Sequence, residues 1–202
     1  HGTPQNGVAL GTDRHGRTGK AYRFDGVDDH ITIASPLQDM ASWTIVSTVF
    51  LETNGMSVIL RDYSHASGND LIFATNSLRP GIRADKSGAT LGLSPASGGN
   101  TDWNSNGPDY SNPSSIKDSW TTLAWVVNQN ISSLYQNGNL IGTINESASN
   151  VGYHDLFVIG ITIHPGSLSN AFNGSIDEIR IYDRALSAAE VAALYQMESA
   201  LP

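Results

Sequence analysis

Asn54-Gly55, Asn106-Gly107, Asn137-Gly138 and Asn173-Gly174 punctuate this chain between short, largely apolar segments. Asn-Gly is the strongest local signal for a two-residue hairpin, because a type I′ turn needs positive φ at both central positions. The segments around these turns alternate with period two. His30-Ile31-Thr32-Ile33 does so, as does Trp43 to Phe50, part of which is apolar on both faces. Met56 to Leu60, Asp70 to Thr75, Thr121 to Val127, Ser132 to Gln136, Leu140 to Ile144 and Leu156 to Ile163 are further strands. Many short strands joined this way specify a two-sheet antiparallel sandwich rather than a parallel α/β sheet. One helix is expected near the end, where Ser187-Ala188-Ala189-Glu190 has the form of a capping box and Val191, Leu194 and Tyr195 follow at helical spacing. No repeat or linker divides the chain, so residues 1–202 read as one domain.

Composition narrows the function. A chain of 202 residues buries a substantial core without crosslinks. It has no cysteine, which excludes disulfides, thiolate metal sites and a cysteine nucleophile. The 19 acidic residues against 11 basic give a formal charge of −8, which opposes nucleic acid and anionic membranes and suits divalent cations or neutral glycans. No apolar run approaches the ~20 residues of a membrane span. The low charged fraction (15%) with abundant Gly, Ser, Asn and Thr fits an extracellular or cell-surface protein. The abrupt start at His1 reads as an excised module or processed product of a larger multidomain protein.

Two segments near opposite ends of the chain are the most specific. Gly19 to Ile31 (GKAYRFDGVDDHI) and Phe172 to Ser187 (FNGSIDEIRIYDRALS) each keep a carboxylate within an apolar strand. Between them lie Trp43-Thr44-Ile45-Val46-Ser47, Trp120 to Val127, and the hairpin Leu134-Tyr135-Gln136-Asn137-Gly138. In this order the five segments resemble the signature strands of the laminin-G-like jelly rolls, a branch of the concanavalin A-like lectin and glucanase fold. Thr48 departs from the pattern, standing where the family usually has Trp. The resemblance implies an all-β jelly-roll sandwich of two curved antiparallel sheets with one short C-terminal helix, common in secreted carbohydrate-active or adhesive proteins.

Asp177 shares a face with Ile179 and Ile181, and no cation nearby in sequence serves it. A buried carboxylate must be paired, hydrogen-bonded or metal-bound. By the resemblance, Asp25 and Asp177 match positions near which family members often hold an ion. With Asp28 or Asp29 and backbone carbonyls they would supply the oxygen ligands that Ca²⁺ prefers, in a structural role. The competing reading is that these carboxylates accept backbone N–H bonds and cap turns.

Ser94 to Ser115 carries no strand or helix periodicity over about 22 residues, longer than connections usually run unless they are functional or disordered. Trp103 and Tyr110 sit there among Asp102 and Asn104. Aromatic faces for pyranose rings beside amides and carboxylates for hydroxyls are what a sugar site needs. Tyr63 and His65 are the next candidates, whereas Trp43, Trp120 and Trp125 lie in strands and read as core.

Catalysis has weaker support. The five glutamates, Glu52, Glu146, Glu178, Glu190 and Glu198, include none two residues from another carboxylate in a strand, so a hydrolase pair on alternating positions is missing. A lyase could draw on Tyr63, His65, His164, Arg61 and Arg83. A copper site at His1 is disfavoured, because His1-Gly2-Thr3 resembles an internal family segment. The sequence thus points to a non-catalytic, lectin-like carbohydrate-binding module of a secreted or surface bacterial protein, calcium-stabilised, with a glycan or polysaccharide as partner. The alternatives are a protein-interaction or scaffold domain of an adhesin, and a polysaccharide lyase on the same fold.

Overall fold

The structure, a computed structural model, describes residues 2–34, 36–37, 40–53, 57–63, 70–76, 79–84, 89–91, 115–129, 131–145, 156–164 and 167–200. Two seven-stranded antiparallel sheets face each other. The first runs in the order β1 (Thr3–Gln5), β4 (His30–Ile33), β13 (Leu156–Ile159), β6 (Ser57–Tyr63), β7 (Asp70–Asn76), β8 (Arg79–Ala84), β9 (Ala89–Leu91). The second runs β12 (Asn139–Asn145), β11 (Ile131–Gln136), β10 (Trp120–Asn128), β5 (Ser42–Leu51), β16 (Asn173–Tyr182), β3 (Thr18–Asp25), β2 (Ala9–Thr12). A small hairpin of β14 (Thr162–His164) and β15 (Ser167–Ser169) stands apart. β16 pairs with both β3 and β5, so strands from the two ends of the chain are neighbours inside one sheet.

The core between the sheets is built by alternation. Trp43, Ile45, Val49 and Leu51 of β5 face Phe73, Ile82 and Phe157 of the opposite sheet within one buried cluster. Trp125 sits edge-on to Trp43 with ring centroids 4.8 Å apart, and its indole N–H donates to Ser132 Oγ at 3.2 Å. A buried indole usually finds such a partner; the Trp43 N–H is buried without one. Trp120, by contrast, is half-buried and packs against Phe50 at the end of the sheet.

The expected helix is α1 (Ala188–Ala200). Its capping box is formed in both directions: Glu190 N donates to Ser187 Oγ (3.3 Å), and Ser187 N donates to Glu190 Oε2 (2.8 Å). Arg184 grips the same carboxylate, which holds Glu190 down to about 2. The helix lies on the outer face of the second sheet, where Leu186 and Val191 pack with Val46, Ala124, Val126 and Tyr135.

Asn137 (φ 50) and Gly138 (φ 77) form the expected hairpin turn between β11 and β12. Asn173-Gly174 does not form one. It opens β16, and Gly174 (φ 152) is needed there because a Cβ would stand 2.0 Å from the Phe50 carbonyl oxygen. The expected strand from Leu156 to Ile163 is two strands, broken at Gly160 (φ 94), whose missing side chain leaves room for the Phe24 ring.

Candidate functional site

β3 ends at Asp25 and β4 begins at His30, so the turn between them gathers three carboxylates at one end of the sandwich. One oxygen each of Asp25, Asp28 and Asp29 lies within 4.8 Å of the others. Capping accounts for part of the arrangement. Val27 N donates to Asp25 Oδ1 (2.8 Å), and Asp25 N donates to Asp29 Oδ2 (2.9 Å). It does not account for Asp29 Oδ1, which is buried with no hydrogen-bond partner. Asp29 is only 4% exposed. Burial pushes its carboxyl above the ordinary range, and the negative charges of Asp25 and Asp28 push the same way.

Asn6 Nδ2 donates to the Asp28 carbonyl (3.2 Å), as does His30 Nδ1 (2.8 Å). A Cβ at Gly7 would stand 3.0 Å from Asp29 Oδ1, so only a residue without a side chain leaves that oxygen clear. Asn173 lies opposite Asp25 in the β3–β16 register. Arg23 ties this end together, donating to Asn173 Oδ1 (3.3 Å) and the Gly174 carbonyl (3.0 Å) and pairing with Glu52 (2.6 Å). Three hard carboxylates, one with an orphaned buried oxygen, are a donor set that fits Ca²⁺.

Asp177 stands elsewhere, and this corrects the expectation that it joins Asp25. A β-bulge in β16 between Ile176 and Glu178 takes Asp177 out of the ladder, where it pairs with Arg14 Nη1 at 2.9 Å. Arg14 comes from the β2–β3 connection and is the cation that local sequence did not reveal. It also lies 3.6 Å from Glu198 near the end of α1, and Arg180 pairs with both Glu178 and Glu198. Burial raises the carboxyls of Asp177 and Glu198; Arg14 pulls Asp177 back down, and Arg180 with Arg14 does so for Glu198. The charges form one ion-paired network whose inner members, Arg14, Asp177 and Glu198, are nearly buried, while Glu178 and Arg180 are partly exposed.

Asp102, Trp103, Asn104, Tyr110 and His65 lie outside the described residues, as do the side chains of Tyr63, Arg83 and His164. Of the residues considered for lyase chemistry, Arg61 is described, and it is buried in β6.

A sequence model of the concanavalin A-like lectin/glucanases superfamily (Laminin_G_3) matches residues 25–192. The chain belongs to this superfamily. No curated protein matches it. Among solved structures, this superfamily member is similar to domain 4 of AbnA, an extracellular arabinanase of Geobacillus stearothermophilus solved with arabinotriose. That match has 20% identity and a TM-score of 0.67, covering 96% of this chain and 88% of the other. It is also similar to the CBM40 of the Ruminococcus gnavus IT-sialidase, solved with α2,3-sialyllactose (19% identity, TM-score 0.60, 77% and 83% covered). The binding domain of botulinum neurotoxin serotype D matches at 13% identity and TM-score 0.65, covering 98% of this chain and 46% of that one. At these identities the likeness is one of fold.

Proposed function

We propose that this chain is a non-catalytic glycan-binding module stabilised at one end by a calcium ion. The observation that carries the reading is the match, over most of both chains, to sugar-binding modules solved with arabinotriose and sialyllactose. Fold alone does not assign function, so the residues must supply it. The candidates are Trp103 and Tyr110 as stacking platforms, with Asp102 and Asn104 for hydroxyls and Tyr63 and His65 as the next choice. The calcium reading is supported by the gathering of the Asp25, Asp28 and Asp29 carboxylates and by the orphaned, buried Asp29 Oδ1. Both sugar-bound neighbours belong to larger glycan-degrading enzymes, which supports an extracellular or surface module of a multidomain protein. No helix among the described residues is long and apolar enough to cross a membrane.

A polysaccharide array, run with calcium and then with chelator, tests the reading. Binding to a defined glycan is expected, with loss of at least tenfold in affinity for Trp103→Ala or Tyr110→Ala while the fold is kept. Variants that bind like wild type would move the site off the long loop. Silence across the array would overturn the function and favour a protein-binding domain, for which Leu10 (63%) and Val27 (70%) are the most exposed large hydrophobics among the described residues.

A further inference from the structure

The two sheets part at one side of the sandwich, where β1 and β2 are the edge strands. Between them lies a slot of about 280 Å³. Ile31, Ile33, Phe157 and Ile159 form one wall; β3 and β16 form the other, with Tyr22 and Ile179 among its lining side chains. Here Ile33, Ile179 and Ile181 are only partly buried, Tyr22 is 40% exposed, and its cross-strand partner Leu10 is 63% exposed. The β16 bulge shapes the slot: it lets Ile176 and Ile179 both face inward and sets Asp177 into the lining as its one ionisable carboxylate.

The geometry points to a binding site for a small, flat, uncharged and mainly apolar molecule bearing one hydrogen-bond donor. Facing sheets lie about 10 Å apart, which limits the occupant to roughly one ring in thickness. An apolar cavity of about 150 Å³ takes up benzene, so the slot's volume suits a fused two-ring compound. Apolar walls would strip the water from an ion without replacing it, which excludes charged ligands. Asp177 is held by Arg14, yet a carboxylate has about four acceptor sites, enough to take a donor from the ligand as well. Such a pocket, apolar with one buried carboxylate whose titration is displaced, has the character of a small-molecule site. It is separate from the glycan reading and does not depend on it.

The probe is 2-naphthol, with 2-methoxynaphthalene as the same ring system lacking the donor. Titrated into the full chain and followed by fluorescence, 2-naphthol should bind saturably at one site, and the methoxy compound at least fivefold more weakly. Ile33→Trp, which fills the slot, should weaken 2-naphthol at least tenfold. Should that variant misfold by circular dichroism, Ile179→Phe fills the same space from the other wall. Met197→Ser, in the separate apolar patch on α1, should change nothing. Absence of saturable binding, unchanged affinity in a folded slot-filling variant, or loss on Met197→Ser would each overturn the assignment. Glycan binding that persists in the slot-filled variants would confirm that the two sites are distinct.

Discussion

Asp29 carries the clearest single-residue prediction because two readings give it opposite signs. Burial raises its carboxyl in the folded state, so its contribution to stability is present below the unfolded value and is lost as pH rises through the folded one. Without metal, ionising the group therefore costs stability. A calcium ion would reverse this, adding about 2.7 kcal/mol at a hundredfold excess over Kd, or about 5–10 °C in Tm for a chain of this size. Thermal melts of wild type and Asp29→Asn decide the matter. Calcium should raise only the wild type, and in chelator the variant should be at least as stable as wild type at pH 7. A wild type indifferent to calcium, with Asp29→Asn destabilised in chelator, would make Asp29 a turn cap alone. The grouping of Asp25, Asp28 and Asp29 was legible because a single turn encodes it. The position of Asp177 was not, since its cation, Arg14, arrives from the opposite end of the chain.

At the scale of elements, local alternation made most strands legible, and local rules failed where a distant strand decides the backbone. Asn173-Gly174 has the letters of a hairpin, yet β5 runs against Gly174 so closely that only glycine fits, and the pair enters a strand. The β16 bulge is likewise invisible in a period-two reading, which would send Ile176 and Ile179 to opposite faces. The same bulge positions the charge network that joins three elements: the β2–β3 connection through Arg14, β16 through Asp177, Glu178 and Arg180, and α1 through Glu198. Removing one partner of a buried ion pair strands the others, so Arg14→Ala should cost about 3–5 kcal/mol. Its pH dependence follows from sign. The raised carboxyls of Asp177 and Glu198 favour the folded state most when protonated, and Arg14 opposes that by favouring their charged forms. Without Arg14 the deficit should grow from pH 5 to pH 8, as read by urea midpoints. A deficit independent of pH would reduce Arg14 to a packing role.

At the scale of the molecule, the order of strands argues for one cooperative unit despite a length above that of most two-state domains. β3 and β16, from the two ends of the chain, pair with each other, and β16 then pairs with β5. The N-terminal strands are divided between the sheets, β1 in the first and β2 in the second. Neither β3 nor β16 can therefore detach without opening the core to which Phe24 and Ile176 belong together with Trp43, Phe73, Trp125 and Phe157. Long-range pairing of this kind also slows folding, because distant segments must meet before any core forms. We therefore expect a single calorimetric transition. At about 0.7 kcal/mol per residue near 60 °C, the 202 residues give an enthalpy of about 140 kcal/mol, equal to the van't Hoff value. Two separated transitions, or a van't Hoff enthalpy well below the calorimetric one, would mean that the sheets open independently. In that case the slot between the β4–β13 wall and the β3–β16 wall would be a seam between separately unfolding parts, rather than a cavity in one folded body.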